Sequence, residues 1–486
     1  MNSNMKYIKK KLINSSISET LDNSDLTKLI QKYRELLTIV TVKLDPTDAK
    51  DKLKIHTEQI ILIARKYPQR IDYINLVFSL PTASLEARKW AFRVLNKSNI
   101  NKIKVPLAVK IFNDWDRLKT NMSLMLQHFV QTAFQNMFLS NLSIINGFKK
   151  KEMNLKHNPN NTVVIYIQPR FFALNSPQTR VPHKNSRDFF ETVLEVLSNN
   201  KVNVLPLLLP YTNLMPEDEQ FRDFVKIGHH TYGVQHKTLH HKIAYLEEYS
   251  YLDEGGFGPF SKKLSDTGEL DIIKSIEVGK AKKFHNKLHQ KYCQSKVSKF
   301  DQPQNELFLE DGRNYYFFSM QTVNDTVMRK AFLDQYSAIL LILKEFNNTK
   351  KTLLVKRHPL DYTKETQIFL NRIKYHPNCN VLDNNIHDLI SASEATICIN
   401  SGVGIEALLH LKPVFTIGES DYSSATTVIK SKNELSFHMR AKIKKLDVNF
   451  IKQFLYFFFN IHLYKNDDSI RILSAIKKAQ NDIKKL

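Results

Sequence analysis

The chain has 486 residues, too many for one ordinary core, so two or three domains are expected. Hydrophobic residues make up 42% of it, which excludes wholesale disorder, and no apolar run approaches the ~18 residues that a membrane-spanning helix needs. The formal charge of +23 lies on the flanks: residues 1–150 hold 25 Lys/Arg against 12 Asp/Glu, residues 430–486 hold 13 against 5, and the middle is near neutral. Basic flanks attract anionic partners such as membrane headgroups, nucleic acid or an acidic polymer, although solubility explains them equally well. The three cysteines, Cys293, Cys379 and Cys398, lack CxxC spacing, which argues for a reducing compartment and against a disulfide or cysteine-based zinc framework. The first eleven residues lack the apolar segment of a secretory signal, so a soluble cytoplasmic protein is the expectation.

Taken in chain order, residues 1–155 read as a basic helical region, with apolar spacing of three and four over Thr57–Lys66 and Ser84–Asn96 and a long helical stretch over 118–148. A polar linker follows, and strand–helix alternation begins. The strand Val163–Ile167 precedes a helix over Arg187–Leu197 capped by Asn185 or Ser186, then a strand Val202–Leu209 and a helix Glu217–Lys226. Residues 227–305 show no clear period. From Tyr315 the alternation sharpens: strand Tyr315–Ser319, helix Val327–Phe346, strand Thr352–Val355, helix Lys364–Lys374, strand Asn380–Leu382 and helix Ile386–Ser393. Strand Thr396–Ile399, a short helix from Val403 and strand Val414–Ile417 close the series. The pattern predicts an α/β protein with two Rossmann-like lobes, over 156–305 and 306–430, facing a cleft. The tail, 431–486, is predicted to be helical and to pack back across the lobes.

Two motifs stand at the ends of predicted strands, where open α/β sheets bind ligands. Arg357-His358-Pro359 follows Thr352–Val355; arginine grips phosphate oxygens in pairs, and histidine donates a proton or hydrogen bond as charge develops. A structural turn is the alternative for so short a motif. Asn400-Ser401-Gly402-Val403-Gly404-Ile405-Glu406 follows Thr396–Ile399. Its glycines allow close backbone approach, Ser401 offers a hydroxyl, the helix start favours anions, and Glu406 is placed to accept from ribose hydroxyls. No GxxxxGK[ST] or complete GxGxxG pattern occurs, and the spacing around Ser401 does not fit a nucleophile elbow. Upstream, Glu247, Glu248, Asp253 and Glu254 gather beside Gly255-Gly256, candidates for base or nucleophile or else solvated loop acids. His229, His230, His236, His240 and His241 crowd the preceding segment without a recognised metal spacing, so no metal and no cofactor are expected.

Val355-Lys-Arg-His-Pro359, the run Asn400–Gly418, Tyr316–Asp325 and Leu252-Asp-Glu-Gly-Gly-Phe-Gly258 together resemble the bacterial capsule polysaccharide biosynthesis family, which includes capsular Kdo transferases. The resemblance covers about 240–425, extends loosely over 160–240 and leaves out 1–150; Phe257-Gly-Pro-Phe260 departs from the family pattern. It implies a GT-B-like glycosyltransferase that moves Kdo or a related acidic sugar from a CMP-activated donor to a lipid or oligosaccharide acceptor. By that likeness Arg357, His358, Asn400, Ser401, Gly402, Gly404 and Glu406 hold the donor, with Gln321 nearby. Asp253, less readily Glu248, is the acid of the opposite lobe, and His358 joins it in catalysis. Peripheral contact with the anionic inner membrane is expected through the basic flanks, with no nucleic acid as partner. Two alternatives are a CDP-glycerol-type polyol-phosphate transferase, prompted by Ser420-Asp-Tyr-Ser-Ser424, and a non-enzymatic basic nucleic-acid-binding protein, prompted by the pI of about 9.6.

Overall fold

A computed structural model describes residues 47–66, 158–167, 182–208, 214–215, 221–262, 268–323 and 325–481, with isolated helical positions at 77, 87, 90 and 91. Two compact units divide the chain: one comprises 1–158, 166–174 and 204–211, the other 159–165, 175–203 and 212–486. In the first, helix α1 (Thr47–Lys66) buries Thr57, Ile60, Ile61 and Ala64, the three-and-four spacing expected of one helix face. Arg65 and Lys66 complement the dipole of its last turn, and Arg65 lies 5.5 Å over the Trp90 ring. Of the predicted helix over Ser84–Asn96, only 87, 90 and 91 are described, all helical; the stretch 118–148 lies outside the described residues.

In the other unit, the first sheet follows the order β12-β5-β4-β3-β1, with β1 Thr162–Ile167 (its last two residues counted with the first unit), β3 Val225–His229, β4 Thr238–Ile243, β5 Tyr249–Asp253 and β12 Tyr464–Lys465; strand β2, Asn203–Leu208, falls in the first unit but for its first residue. β1 and β2 match their predicted strands. The helix between them, α2 (Pro182–Asn199), starts earlier than expected, so Asn185 and Ser186 lie inside its first turns rather than at its cap. Residues 221–226, predicted as the end of a helix, form a turn and the start of β3. This sheet is mixed rather than all-parallel. β3 and β4 pair parallel, but the connection from Ile243 to Tyr249 is too short for a crossover, so β4 and β5 form an antiparallel hairpin. A second surprise is β12: two residues of the tail, predicted helical, pair antiparallel with Tyr249 and Ser250.

The second sheet has the order β11-β10-β9-β6-β7-β8, and every pairing in it is parallel. Its strands are β6 Asn314–Ser319, β7 Lys351–Lys356, β8 Cys379–Val381, β9 Ala395–Cys398, β10 Val414–Thr416 and β11 Thr427–Val428. Phe317, Phe318, Leu353, Leu354, Ile397 and Cys398 are fully buried, as strands covered by helices on both faces must be. The predicted helix Val327–Phe346 is broken. A 3-10 turn, Thr326–Lys330, ends where Ala331 bridges to Gly418, and the helix proper begins at Gln335, capped by the Asp334 carboxylate on the Ser337 N–H. Chain order runs outward from β6 in both directions, to β7–β8 on one side and β9–β11 on the other. The carboxyl ends of β6 and β9 therefore flank a topological switch point, where such sheets open a crevice. The tail packs on both sheets' surroundings: Val448–Phe457 lies against Val278–Leu288, and Lys432–Arg440 against Gln335–Phe346.

Candidate functional site

The crevice at the switch point is a cavity. From the second sheet come Ser319–Gln321 after β6, Lys356–Pro359 after β7, and Asn400–Val403 with Glu406 after β9. From the first come Lys242, Tyr245, Tyr251, Phe257 and Gly258, and Ser298, Lys299 and Phe300 close it. Arg357-His358-Pro359 and the Asn400–Val403 turn thus line one space, although 41 positions separate His358 from Ile399 in the chain. The hairpin is locked against the second sheet by one buried carboxylate. Asp421, beyond β10, accepts from the Tyr245 hydroxyl at 2.8 Å and the Tyr251 hydroxyl at 2.5 Å, with His462 Nε2 at 3.4 Å.

His358 has a defined role in hydrogen bonding. Its Nδ1 accepts the Leu360 N–H at 3.1 Å, which leaves Nε2 as the protonated nitrogen of a neutral ring. Burial lowers its pKa despite the raising influence of Asp325 and Asp361, so near neutrality it donates without carrying charge. Positive charge is supplied around it. Lys299 is half-buried as a residue, yet its ammonium end is enclosed, and that desolvation, with Lys242 nearby, brings its pKa down to about 8. It still binds the Ala244 carbonyl at 3.1 Å. Lys356 donates to the Asn384 carbonyl at 2.6 Å and to Asp383 at 3.1 Å, and Arg357 lies 5.0 Å over the Tyr362 ring.

Several predicted donor residues turn out to build the cavity wall. Gln321 and Asn400 bond reciprocally: Gln321 Nε2 donates to Asn400 Oδ1 at 3.0 Å, and the Asn400 N–H donates to Gln321 Oε1 at 2.9 Å. Asn400 Nδ2 then holds the Val327 carbonyl at 2.8 Å. Both amides are thereby committed to stitching the ends of β6 and β9 together. Both glycines are needed for packing, and Gly402 also lines the cavity. A Cβ on Gly402 would lie 2.6 Å from Tyr245 Cδ1, and one on Gly404 would lie 2.6 Å from the Tyr422 ring, whose hydroxyl donates to the Ser401 carbonyl. Gly404 does not line the cavity; Ser401 does, and its hydroxyl accepts the Val403 N–H at 3.3 Å.

The acids change places. Asp253 does not line the cavity. It is buried, and Oδ1 accepts from the N–H groups of Gly255 at 2.7 Å, Gly256 at 3.1 Å and Lys262 at 2.8 Å, while Oδ2 accepts the Ser261 hydroxyl at 2.8 Å. Burial alone would raise its pKa, but the Lys262 and Gly255 N–H bonds outweigh it and the net shift is downward. A carboxylate so engaged folds the Gly255-Gly256 loop. Glu248 is exposed, paired with Lys291, and also outside the cavity. Glu406, predicted only as a donor contact, lines the cavity, is 5% exposed, and has its pKa raised to about 7 by desolvation, partly countered by the Ser298 hydroxyl and the Lys299 charge. The histidine-rich segment is core: His241 stacks on Phe189 at 4.2 Å, and His240 is held between the Thr231 hydroxyl and the Gly233 carbonyl.

Sequence reasoning missed Lys242, Tyr245, Tyr251, Ser298 and Lys299. All fall in residues 227–305, where no period was legible; Lys242, Tyr245 and Tyr251 reach the site on the docked hairpin, and Ser298 and Lys299 on the segment after a π-helical turn, where Lys299 binds the Ala244 carbonyl. Lys356 was within reach, one residue before Arg357 at the end of an apolar strand.

The fold and site define an α/β protein with a recessed cationic crevice at the carboxyl edge of its parallel sheet. Residues 274–463 match the family described as capsule polysaccharide biosynthesis protein. Protein FixF of Sinorhizobium fredii (strain NBRC 101917 / NGR234) is 31% identical over 121 residues, which are 24% of this chain and 29% of that protein. Among solved structures, two described as Thermosulfurimonas dismutans KpsC are similar. The beta Kdo 2,4 transferase aligns at TM-score 0.40 and 14% identity, covering 67% of this chain and 99% of that one. The beta Kdo 2,7 transferase aligns at 0.37 and 13%, covering 65% and 99%. The functional reading rests on the site's geometry and the family match rather than on these distant structural likenesses.

Proposed function

We propose that the protein is a glycosyltransferase of capsular or surface polysaccharide assembly, transferring Kdo or a related acidic sugar from a CMP-activated donor to a lipid or glycan acceptor. The observation that carries this reading is the convergence of Lys242, Lys299, Lys356, Arg357 and the His358 imidazole on one cavity. Such a donor brings two anions, a phosphate and a sugar carboxylate, and fixed cations in a water-poor space stabilise both. As the bond to the anomeric carbon breaks, the phosphate oxygen gains charge, and neutral His358 donates its Nε2 proton or hydrogen bond there. Glu406, with a pKa of about 7, is the group able to take the acceptor hydroxyl's proton at neutral pH, replacing Asp253 in that role. The chemistry needs no metal, since the lysines and Arg357 supply the positive charge.

The polyol-phosphate alternative loses its motif. Ser423 donates to the Ser420 carbonyl, Ser420 N–H donates to Ser423 Oγ, and neither residue lines the cavity. No helix among the described residues is long and apolar enough to cross a membrane; the reading places the protein at the cytoplasmic face of the inner membrane through its basic flanks. A thermal-shift panel of CMP, CMP-Kdo, CMP-sialic acid, CDP-glycerol and UDP-sugars tests the donor, and product mass with a lipid acceptor tests the transfer. Saturation with the CMP-linked donors should stabilise the protein by about 2–4 kcal/mol. Indifference to every cytidine compound would end the proposal.

A further inference from the structure

Away from the cavity, a second chemical cluster lies at the opposite end of the helix that carries Glu406. Helix Val278–Leu288 continues into a π-helical turn, His289–Gln294, whose slipped hydrogen-bond ladder resets the directions of its side chains. His289 and Cys293 project from this turn. His410 stands at the carboxyl end of Val403–Leu409, its N–H on the Glu406 carbonyl at 3.2 Å. One ring nitrogen of each histidine and the Cys293 sulfur all lie within 4.8 Å of one another; Cys293 is buried, and the two histidines are half-buried. None of the three lines the cavity.

The hydrogen bonds around His410 fix its tautomer. His387 Nε2 faces the Val297 carbonyl at 3.0 Å, and a carbonyl can only accept, so His387 carries its proton there. Its Nδ1 then has a lone pair and accepts from His410 Nε2 at 2.9 Å. His410 is therefore left with a basic Nδ1. A chain of carbonyl, imidazole and imidazole that leaves His410 a lone pair on Nδ1 is the outer-shell arrangement that orients a metal-binding histidine. Two nitrogens and one sulfur suit zinc, and tetrahedral zinc at roughly 2.0–2.3 Å from its ligands sets them roughly 3.5 Å apart.

We propose that His289, Cys293 and His410 bind a zinc ion, with water at the fourth position and His387 as the positioning residue for His410. Binding replaces the thiol proton by the metal and releases that proton to solvent. The ion ties the 289–294 turn to the helix whose other end presents Ser401–Glu406 to the cavity, a link independent of which sugar is transferred.

Cobalt(II) tests the site in the untagged, metal-stripped, full-length protein, because its thiolate complexes give a near-ultraviolet charge-transfer band and strong visible bands when tetrahedral. One equivalent should produce both, and zinc should abolish them. Cys293→Ser should remove the charge-transfer band, whereas Cys379→Ser should leave it intact. His289→Gln should weaken cobalt binding more than 100-fold, and His387→Phe by about 10–100-fold. His289→Gln decides the matter if Cys293→Ser fails to fold. A folded protein that shows no thiolate band, a band that survives Cys293→Ser, or unchanged affinity in His289→Gln would overturn the site.

Discussion

Asp253 and Glu406 are two buried carboxyl groups driven in opposite directions. Asp253 closes β5 among backbone N–H donors and the Ser261 hydroxyl, and its pKa falls. Glu406 sits on the helix after β9, where the Ser298 hydroxyl and the Lys299 charge only partly offset its desolvation and His387 Nε2 stands 3.9 Å away, and its pKa climbs to about 7. Depth is the same; the supply of donors differs. A carboxylate saturated by donors is structural, whereas one left short of them is poised for proton transfer.

The contrast breaks most visibly in turnover. Glu406→Gln should lower kcat roughly 100-fold or more while the protein stays folded, with loss of the limb of the pH–rate profile that rises through about 7. Retention of that limb in the variant would assign the proton to another group. Asp253→Asn should do the reverse. Replacing Oδ2 by an amide and weakening the acceptor for three N–H groups should cost about 2–3 kcal/mol in stability, read by denaturant unfolding, with activity per folded molecule preserved. A stable, inactive Asp253→Asn would return the acid to the glycine loop.

Acid separates the two regions again. The pKa of His240 falls to about 4 chiefly through burial, so between about 6.5 and 4 the unfolded chain binds a proton that the folded one refuses. Stability from that group is complete above 6.5 and drains as the pH falls toward 4. His241 behaves likewise, its pKa lowered well below the ordinary value by burial and the His229 charge. Glu406 opposes them, holding its proton up to about 7 in the folded state. The histidines outnumber it, so the melting temperature should fall as pH drops from 6.5 to 4; a flat profile would contradict the burial. The smallest effect concerns the turn itself. Gly404→Ala must displace the Tyr422 ring and should cost about 1–3 kcal/mol without changing donor affinity in the folded fraction. A selective loss of donor binding would make Gly404 a ligand contact after all.

The second sheet was legible because its strands are apolar on both faces and end in motifs with strong local chemistry, as at Val355-Lys356-Arg357-His358 and Ile399-Asn400-Ser401. The first sheet was less so. The hairpin of β4 and β5 reads as histidines, tyrosines and acids without a period, and β12 is too short to signal itself. Local sequence likewise suggested that acids beside glycines are catalytic and that glycines after a strand admit a ligand. Both inferences need neighbours to decide them: Ser261 and Lys262 for Asp253, Tyr245 and Tyr422 for the glycines.

By itself the sequence determined the parallel sheet, the strand ends that carry Arg357, His358 and Ser401, and the family likeness, since period and turn chemistry are local properties. Only the tertiary structure decided that Lys242, Lys299 and Tyr245 join those strand ends, that Asp253 is spent on its own loop, and that Glu406 keeps its proton to near neutrality. The reason is physical: charge state and access depend on which groups from distant parts of the chain exclude water or supply hydrogen bonds, and no stretch of sequence carries that information alone.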